Sequence, residues 1–186
     1  MQIQFRLLLP LFCLLIALYH PTVFALKADK NQPTKLSSDR ADFNDVTQEY
    51  ILTGHVVIIK GSIVIKGAKA VVIVDPEGYQ QITVRGDANQ LASFTQQLEK
   101  PNPEFIEGEG DLIFYEAKKD QLLLSGQAYT NRRKGIQSID KLLADKINYD
   151  LYTEEYSAVS TEFHKPTRSV LAPRQNTKIE LQNIKK

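Results

Sequence analysis

The chain has 186 residues, with 23 Lys and Arg against 22 Asp and Glu, so its formal net charge at pH 7 is +1. A nearly neutral chain lacks the basic excess that binding to nucleic acid or to an anionic membrane surface requires, which argues against both roles. Its single cysteine, Cys13, leaves no intramolecular disulfide, so an apolar core must hold the fold together.

The N-terminal segment is typical of a secretory signal. Arg6 precedes an apolar stretch, Leu7 to Tyr19, that is too short to span a bilayer comfortably. The small residue Ala25 favours cleavage directly after it. We therefore expect a signal peptide at residues 1–25, with an uncleaved anchor as the alternative. Phe12 is too bulky for the lipobox that a lipoprotein at Cys13 would need.

A β-rich pattern begins soon after this segment. Thr34–Ser37 and Ala41–Asn44 are predicted as short strands. The stretch from Tyr50 to Val74 is dominated by Val and Ile, which favour pleated strands, and it predicts a hairpin. Its strands would be Tyr50–Ile59 and Ser62–Val74, joined by a tight Lys60-Gly61 turn, with Leu52, Gly54, Val56 and Ile58 on one face.

The rest of the chain continues as short strands between turns. Two prolines, Pro101 and Pro103, predict a loop over Thr95–Pro103. Lys141–Asp150 could form a helix, but its neighbours and its missing cap favour a strand. The other predicted strands are Tyr79–Arg85, Ala88–Phe94, Phe105–Glu109, Asp111–Ala117, Gln121–Thr130, Ile136–Ile139, Leu142–Leu151, Tyr156–Ser160 and Arg168–Leu171.

Such a series of strands without a clear helix predicts an all-β sandwich, jelly roll or barrel. A weak internal repeat supports an architecture built from repeated hairpins. Residues 50–56 match residues 122–128 at an offset of 72, and the same offset relates Phe43 to Tyr115. A slightly larger offset relates Gly61 to Gly135.

Signatures of catalysis and of metal binding are missing from the sequence. It has no HExxH motif, Cys/His cluster, GxSxG elbow or Walker loop, so we expect no metal and no cofactor. His55 is interpreted as an exposed histidine on an outer strand face. Gly108-Glu109-Gly110 is interpreted as a strand break, and the pairs Glu107/Glu109 and Glu154/Glu155 as solvated faces. The apolar runs Val71–Val74 and Leu122–Leu124 predict burial on both faces, or an open apolar groove.

Several segments, in this order, resemble the OstA-like family of periplasmic lipopolysaccharide-transport proteins of Gram-negative bacteria. The resemblance covers most of the chain after residue 25, with one departure: Gly67-Ala68-Lys69 lacks the acidic residue of the family's A-D-K motif. The segments that carry it are Ser37-Ser38-Asp39, LTGHVVIIKGSIVIKGAKAVVI (residues 52–73), Leu91-Ala92-Ser93-Phe94, GEGDLIFYEAKKDQLLLSGQAY (residues 108–129) and Ala144-Asp145-Lys146-Ile147-Asn148-Tyr149.

The resemblance implies a twisted antiparallel β-jelly roll, at residues 26–172, whose sheets splay into a V-shaped apolar trough. A disordered polar tail would follow at 173–186. The trough would carry the lipid A acyl chains of lipopolysaccharide across the periplasm without catalysis. The residues expected in the trough are Leu36, Leu52, Val56, Ile58, Ile63, Ile65, Phe94, Tyr115, Leu124 and Ala128.

The two terminal strands are predicted to be unpaired edges, with only Lys35 and Arg168 as charges within them. We expect them to pair with other proteins by β-augmentation. Thr34–Ser37 would meet an inner-membrane-anchored partner of the same fold, LptC-like. Arg168–Leu171 would meet an outer-membrane translocon partner, LptD-like. Copies of the chain would also join head to tail.

Three other functions stay open at the level of sequence. The first is a soluble periplasmic lipid carrier that works as a closed monomer. The second is a periplasmic hydrolase on a β-scaffold, with Glu107 as a candidate carboxylate. The third is an outer-membrane barrel, against which the polar C-terminal tail and the missing aromatic girdles argue.

Overall fold

The computed structural model describes residues 29–98, 100, 102–160 and 166–171. They form a 12-stranded antiparallel sheet and one short 3₁₀ helix, Asp29–Asn31, which confirms the predicted all-β class. No helix in this part of the chain is long and apolar enough to cross a membrane. The expected signal peptide and polar tail lie outside the described residues. The strands are β1 (Thr34–Ser37), β2 (Arg40–Asn44), β3 (Glu49–Lys60), β4 (Ile63–Val74), β5 (Gln80–Arg85), β6 (Ala92–Leu98), β7 (Glu104–Gly110), β8 (Leu112–Glu116), β9 (Gln121–Lys134), β10 (Gln137–Asp150), β11 (Tyr156–Val159) and β12 (Arg168–Leu171).

Four long strands divide this sheet into two layers, because each of them runs through both. The first halves of β3 and β9 pair with β2 and β8, and their second halves pair with β1 and β7. The first halves of β4 and β10 pair with β6 and β12, and their second halves pair with β5 and β11. Sheet 1 therefore runs β2-β3-β4-β5-β8-β9-β10-β11, and sheet 2 runs β1-β3-β4-β6-β7-β9-β10-β12. This is the predicted antiparallel jelly roll.

The passage of β3 from sheet 1 to sheet 2 occurs at a bulge, Gly54-His55. Both residues have positive φ, +78° and +43°, and the Asp39 N–H donates a 2.9 Å hydrogen bond to the carbonyl of Gly54. A Cβ atom at position 54 would overlap the Asp39 carboxylate, so glycine is needed for space as well as for φ. His55 is exposed, as predicted, with its Nδ1 2.7 Å from Asp39 Oδ2.

The same arrangement recurs in β9. Gly126 and Gln127 have φ of +72° and +49°, and the Asp111 N–H donates a 2.9 Å hydrogen bond to the Gly126 carbonyl. Every residue of this second bulge lies 72 positions after its counterpart. The strand pairings repeat too, so β1–β6 and β7–β12 are two copies of one six-strand unit. The weak repeat seen in the sequence is thereby confirmed.

The core lies between the two sheets, and apolar residues alternate along the strands that enclose it. In β3, Leu52, Val56 and Ile58 are buried while Ile51 and Ile59 face outward. The expectation of burial on both faces in the apolar runs was wrong. Val72 is buried but Ile73 is 44% exposed, and the run at residues 122–124 also alternates.

Several predicted boundaries differ from the structure. The hairpin turn is Gly61-Ser62 rather than Lys60-Gly61, since Lys60 pairs with Ile63 and Gly61 supplies the positive φ. Strand β6 covers Ala92–Leu98, so the predicted strand at 88–94 began too early, and much of the predicted loop at 95–103 is strand. β10 is continuous, without the break expected between residues 139 and 142. Lys141–Asp150 is a strand, as predicted, and so are both terminal edge segments.

Candidate functional site

The candidate site is the apolar interior between the sheets, and the structure brings all ten residues predicted for the trough to this interior. Nine are buried, with at most 4% of each exposed, and Leu36 on edge strand β1 packs against them half-buried. Sheet 1 contributes Leu52, Tyr115 and Leu124, and sheet 2 contributes Leu36, Val56, Ile58, Ile63, Ile65, Phe94 and Ala128.

Aromatic rings fill the centre of the interior. Phe94 on β6 faces Tyr149 on β10 across the sheets, with ring centroids 6.0 Å apart. Tyr149 stacks on Tyr156 at 4.7 Å, and its hydroxyl donates a 3.2 Å hydrogen bond to Gln96 Oε1. Burial raises the pKa of the Tyr149 phenol above its usual range. Sequence reasoning missed both Tyr149 and Gln96, although the resemblance included Tyr149 in its last matching segment.

Tyr115 and Lys60 form a second polar feature inside the interior. The Tyr115 hydroxyl is buried and has no hydrogen-bond partner among the described residues. Lys60 is only 7% exposed, and its ammonium lies 5.7 Å from the centroid of the Tyr115 ring. Burial lowers the pKa of Lys60, an effect that the nearby Asp120 carboxylate partly offsets. Lys60 thus places a cation in contact with the apolar residues of the interior.

The side opposite the bulges carries the hairpin turns, and we call it the turn side. Polar contacts between described residues join the two sheets there, and one of them is a 3.5 Å hydrogen bond from Gln96 Nε2 to the carbonyl of Leu151. Lys30 forms a 2.9 Å ion pair with Asp120 of the β8–β9 turn, and the Thr34 hydroxyl donates a 3.0 Å hydrogen bond to Gln80. A further 2.9 Å ion pair joins Lys100 to Glu154. These contacts close the interior on the turn side.

The closed interior has little free volume in this conformation. A cavity of about 180 Å³ opens between the sheets at the C-terminal end, smaller than the roughly 300–1,000 Å³ of sites that enclose small ligands. A cavity of only about 50 Å³ lies on the turn side. The larger cavity is lined by Ile106, Thr130, Arg132, Asp140, Lys141, Leu142, Tyr156, Ser169 and Leu171.

The acidic pairs considered for hydrolysis are engaged in structural contacts. Glu107 is half-buried and accepts hydrogen bonds from Arg133, at 2.8 Å, and from Asn131, at 2.8 Å. Glu154 forms its ion pair with Lys100. The expectation that both pairs are solvated therefore fails for these two carboxylates, because cations on neighbouring segments neutralise them. Glu109 and Glu155 are exposed, as expected.

The predicted strand break at residues 108–110 was also wrong, since both glycines belong to β7. Gly108 is buried opposite Phe94, and a Cβ atom there would lie 2.5 Å from the ring atom Cε1. The glycine therefore makes room for an interior aromatic ring.

Comparison with known proteins places this geometry in a family. The family model described as LptA/(LptD N-terminal domain) LPS transport protein matches residues 35–155. The lipopolysaccharide export system protein LptA of Escherichia coli K12 is 31% identical over 153 residues, covering 82% of this chain and 77% of that protein. LptA of Haemophilus influenzae is 30% identical over 166 residues, covering 89% and 91%.

The fold agrees with a solved structure from a third organism. The crystal structure of LptH, described as the LptA-homologous periplasmic component of the lipopolysaccharide transport device of Pseudomonas aeruginosa, superposes with a TM-score of 0.68 at 22% identity. The match covers 78% of this chain and 99% of that one. By the family model and by its identity to both LptA proteins, the chain belongs to the family of LptA and LptD N-terminal domain lipopolysaccharide-transport proteins.

Proposed function

We propose that the chain binds lipopolysaccharide by its acyl chains and transfers it across the periplasm, as part of a bridge between the inner and outer membranes. The observation that carries this proposal is the continuous apolar interior, which extends from Leu36 on edge strand β1 to Ala158 on edge strand β11. Family membership supports it, since the relatives are named lipopolysaccharide export proteins. The process is binding and transfer rather than catalysis.

The physical need for such an interior follows from the hydrophobic effect. Each methylene exposed to water costs about 0.8 kcal/mol, so one acyl chain of about a dozen carbons costs on the order of 10 kcal/mol. A lipid with several chains therefore needs an apolar path along its whole route. The ten interior residues from Leu36 to Ala128 identified above are the proposed lining of that path.

Lipid entry requires the two sheets to separate, because neither of the two cavities described among these residues is large enough for an acyl chain. On the opposite side, where the bulges lie, continuous backbone joins the two sheets, since four strands pass from one sheet to the other there. Within the described part of the chain, the two sheets are joined on the turn side by contacts of side chains such as Lys30–Asp120 and Thr34–Gln80. We therefore place the entrance, and the opening of the V-shaped trough, on the turn side.

The location and the domain limits belong to the same proposal. Residues 1–25 would act as a cleaved signal that exports the chain to the periplasm. Residues 26–172 would form the lipid-binding domain and residues 173–186 a polar tail. Relatives that are periplasmic transport components support this location.

The edge strands supply the proposed partner sites. Among the described residues, β1 pairs with β3 alone and β12 with β10 alone, so each has one backbone edge that no described strand covers. We assign the N-terminal edge to an inner-membrane-anchored LptC-like partner and the C-terminal edge to an LptD-like translocon. Copies of the chain would join head to tail, because a contact between two different edges does not close on itself.

Photo-crosslinking in cells tests the lipid assignment. A photoreactive phenylalanine at position 94 should yield a lipopolysaccharide adduct, because this side chain lies inside the proposed path. The matched control is the same probe at Tyr79, an aromatic residue that is 37% exposed at a turn. Equal adduct yields from both positions, or none from position 94, would reject the assignment.

A truncation tests the bridge against the alternative of a monomeric carrier. Ending the chain after His164 removes β12 and the residues that follow it. Self-association and binding of the outer-membrane partner should fall, while one lipid still binds to each molecule. Unchanged oligomerisation would show that edge pairing by β12 is not the mechanism, and a full-length protein that stays monomeric at all concentrations would favour the carrier.

A further inference from the structure

Two buried polar groups lie close together on the turn side. Lys60 is the last residue of β3 in sheet 2, and Tyr115 lies near the end of β8 in sheet 1. The Lys60 ammonium forms no ion pair with any described residue, and the Tyr115 hydroxyl forms no hydrogen bond with one. Because a buried polar group without a partner is costly, this pair points to an acceptor that binds both groups.

The carboxylates nearest to Lys60 are engaged with other donors. Asp120 is paired with Lys30 at 2.9 Å, and Asp29 accepts a 2.9 Å hydrogen bond from the Ser62 N–H and a second bond from its hydroxyl. Burial therefore prevails over the two carboxylates and lowers the pKa of Lys60. The ammonium keeps donors that an anionic ligand could use.

The position of Lys60 connects it with lipid entry. Thr34 lies opposite Lys60 in the β1–β3 ladder, and its hydroxyl reaches Gln80 in the other sheet. The Lys30–Asp120 ion pair closes the turn side nearby. Both contacts must break when the sheets separate, so the movement that admits a lipid also opens the space beside the Lys60 ammonium.

We propose that Lys60 and Tyr115 form a binding site for a phosphate group of the lipid headgroup at the entrance of the trough. With the sheets apart, the phosphate lies between them and accepts hydrogen bonds from the Lys60 ammonium and the Tyr115 hydroxyl. The acyl chains then extend from this point into the apolar interior. This inference rests on the proposed function, and adds recognition of the headgroup to binding of the acyl chains.

The depth of the two residues fits the boundary between headgroup and acyl chains. Ile58 precedes Lys60 by two residues on the same face of β3, and Ile113 precedes Tyr115 in the same way on β8. Both isoleucines are buried, so each strand changes from apolar to polar as it approaches the turn side. A ligand that spans this boundary is apolar on one side and accepts hydrogen bonds on the other.

Phosphate is the headgroup chemistry that suits these donors. A lysine ammonium has three donors and no acceptor, so its ligand must supply acceptors and negative charge. A phosphate monoester carries about −1.5 to −2 charges at pH 7 and three acceptor oxygens that point in different directions. It can therefore bond to both sheets at once, which an uncharged acyl chain cannot do.

A binding role and a structural role predict different effects on stability. Lys60→Met removes the charge and keeps a side chain of similar length, so a site that exists for a ligand should leave the variant at least as stable as the original chain. The same holds for Tyr115→Phe, which keeps the ring. Binding of phosphorylated lipid should nevertheless fall in both variants.

The experiment compares two lipids in the full chain. The probes are lipid A with its phosphates and the same lipid after enzymatic removal of the phosphates. Lys60→Met should weaken binding of the phosphorylated lipid by about ten- to a hundredfold, the usual loss for a charge-assisted hydrogen bond, and leave binding of the dephosphorylated lipid unchanged. The matched control, Lys66→Met on the exposed face of β4, should alter neither affinity.

Three results would overturn the phosphate site. They are an equal loss of affinity for both lipids in Lys60→Met, an unchanged affinity of this variant for the phosphorylated lipid, and Lys60-dependent binding of inorganic phosphate in the absence of lipid. The last result would assign the site to a free anion. If the original chain still binds the dephosphorylated lipid, the proposed function stands even when the phosphate site fails. Binding of neither lipid would reject the proposed function itself.

Discussion

Gly108 lies directly opposite Phe94 across the β6–β7 ladder and leaves the space into which the phenyl ring packs. A Cβ atom at position 108 would lie 2.5 Å from Phe94 Cε1 and 2.9 Å from Leu124 Cδ2. Gly108 belongs to sheet 2 and Leu124 to sheet 1, so the missing side chain sets how closely the two sheets approach. The spacing of the two sheets at Gly108 therefore decides how Phe94, one of the proposed lining residues, packs in the interior.

Gly108→Ala should therefore lower the free energy of unfolding by roughly 1–3 kcal/mol, the usual cost of overpacking a core. Chemical denaturation of the variant measures this change. Phe94→Leu should be less harmful in the Gly108→Ala background than alone, because the smaller side chain relieves the overlap. Strictly additive effects of the two substitutions would show that the contact does not couple them.

Alternation of apolar residues was enough to predict most strands and the inward face of β3, because one face of each strand is buried between the sheets. The error at β6 has a local cause. Asp87 accepts hydrogen bonds from the N–H groups of Asn89 and Gln90, and this side-chain turn keeps residues 88–90 out of the strand. The prolines at 101 and 103 suggested a loop that starts at Thr95, whereas β6 continues to Leu98.

The candidate site was only partly accessible to sequence reasoning. The ten proposed lining residues could be chosen because apolar residues on the inward face of a strand are recognisable from spacing and family resemblance. The Tyr149–Gln96 hydrogen bond and the Lys30–Asp120 ion pair could not be predicted, since each joins segments brought together only by the pairing of distant strands. The pairing of β5 with β8 and of β6 with β7 was hidden for the same reason, although the 72-residue repeat was visible.

Two buried tyrosines should respond in opposite directions to loss of the hydroxyl. Tyr115→Phe should raise the free energy of unfolding by about 1 kcal/mol, because it removes a buried hydroxyl that has no partner among the described residues. Tyr149→Phe should lower it by about 1 kcal/mol, because Gln96 Oε1 loses its donor. Urea denaturation of both variants provides the comparison. Equal destabilisation would indicate that the Tyr115 hydroxyl has a partner after all.

Alkaline pH should destabilise the fold through the same residues. Burial raises the pKa of both Tyr115 and Tyr149 in the folded state. The two protonated phenols therefore contribute their full stabilisation below the unfolded pKa of about 10. This stabilisation is lost as pH rises from there towards the folded pKa values, because the unfolded chain releases these protons first. Tyr115→Phe should reduce the slope of unfolding free energy against pH above 10 by up to about 1.4 kcal/mol per pH unit. An unchanged slope would show that the pKa of Tyr115 is not raised in the folded state.

Opening of the turn side should be sensitive to the contacts that hold the two sheets together. Asp120→Asn removes the charge that pairs with Lys30 at 2.9 Å, and asparagine accepts the positive φ of +52° at this position. Because such a partly exposed ion pair contributes only about 0–1 kcal/mol, the fold should persist while the sheets separate more readily. We expect lipopolysaccharide to bind faster, as measured by stopped-flow displacement of a fluorescent lipid probe.

The matched control is Glu77→Gln, which removes the 2.7 Å ion pair with Lys118. Both of its residues lie in turns of sheet 1, so the control breaks a similar contact without releasing the sheets from each other. If the two variants accelerate binding equally, or neither does, lipid does not enter between the sheets on the turn side.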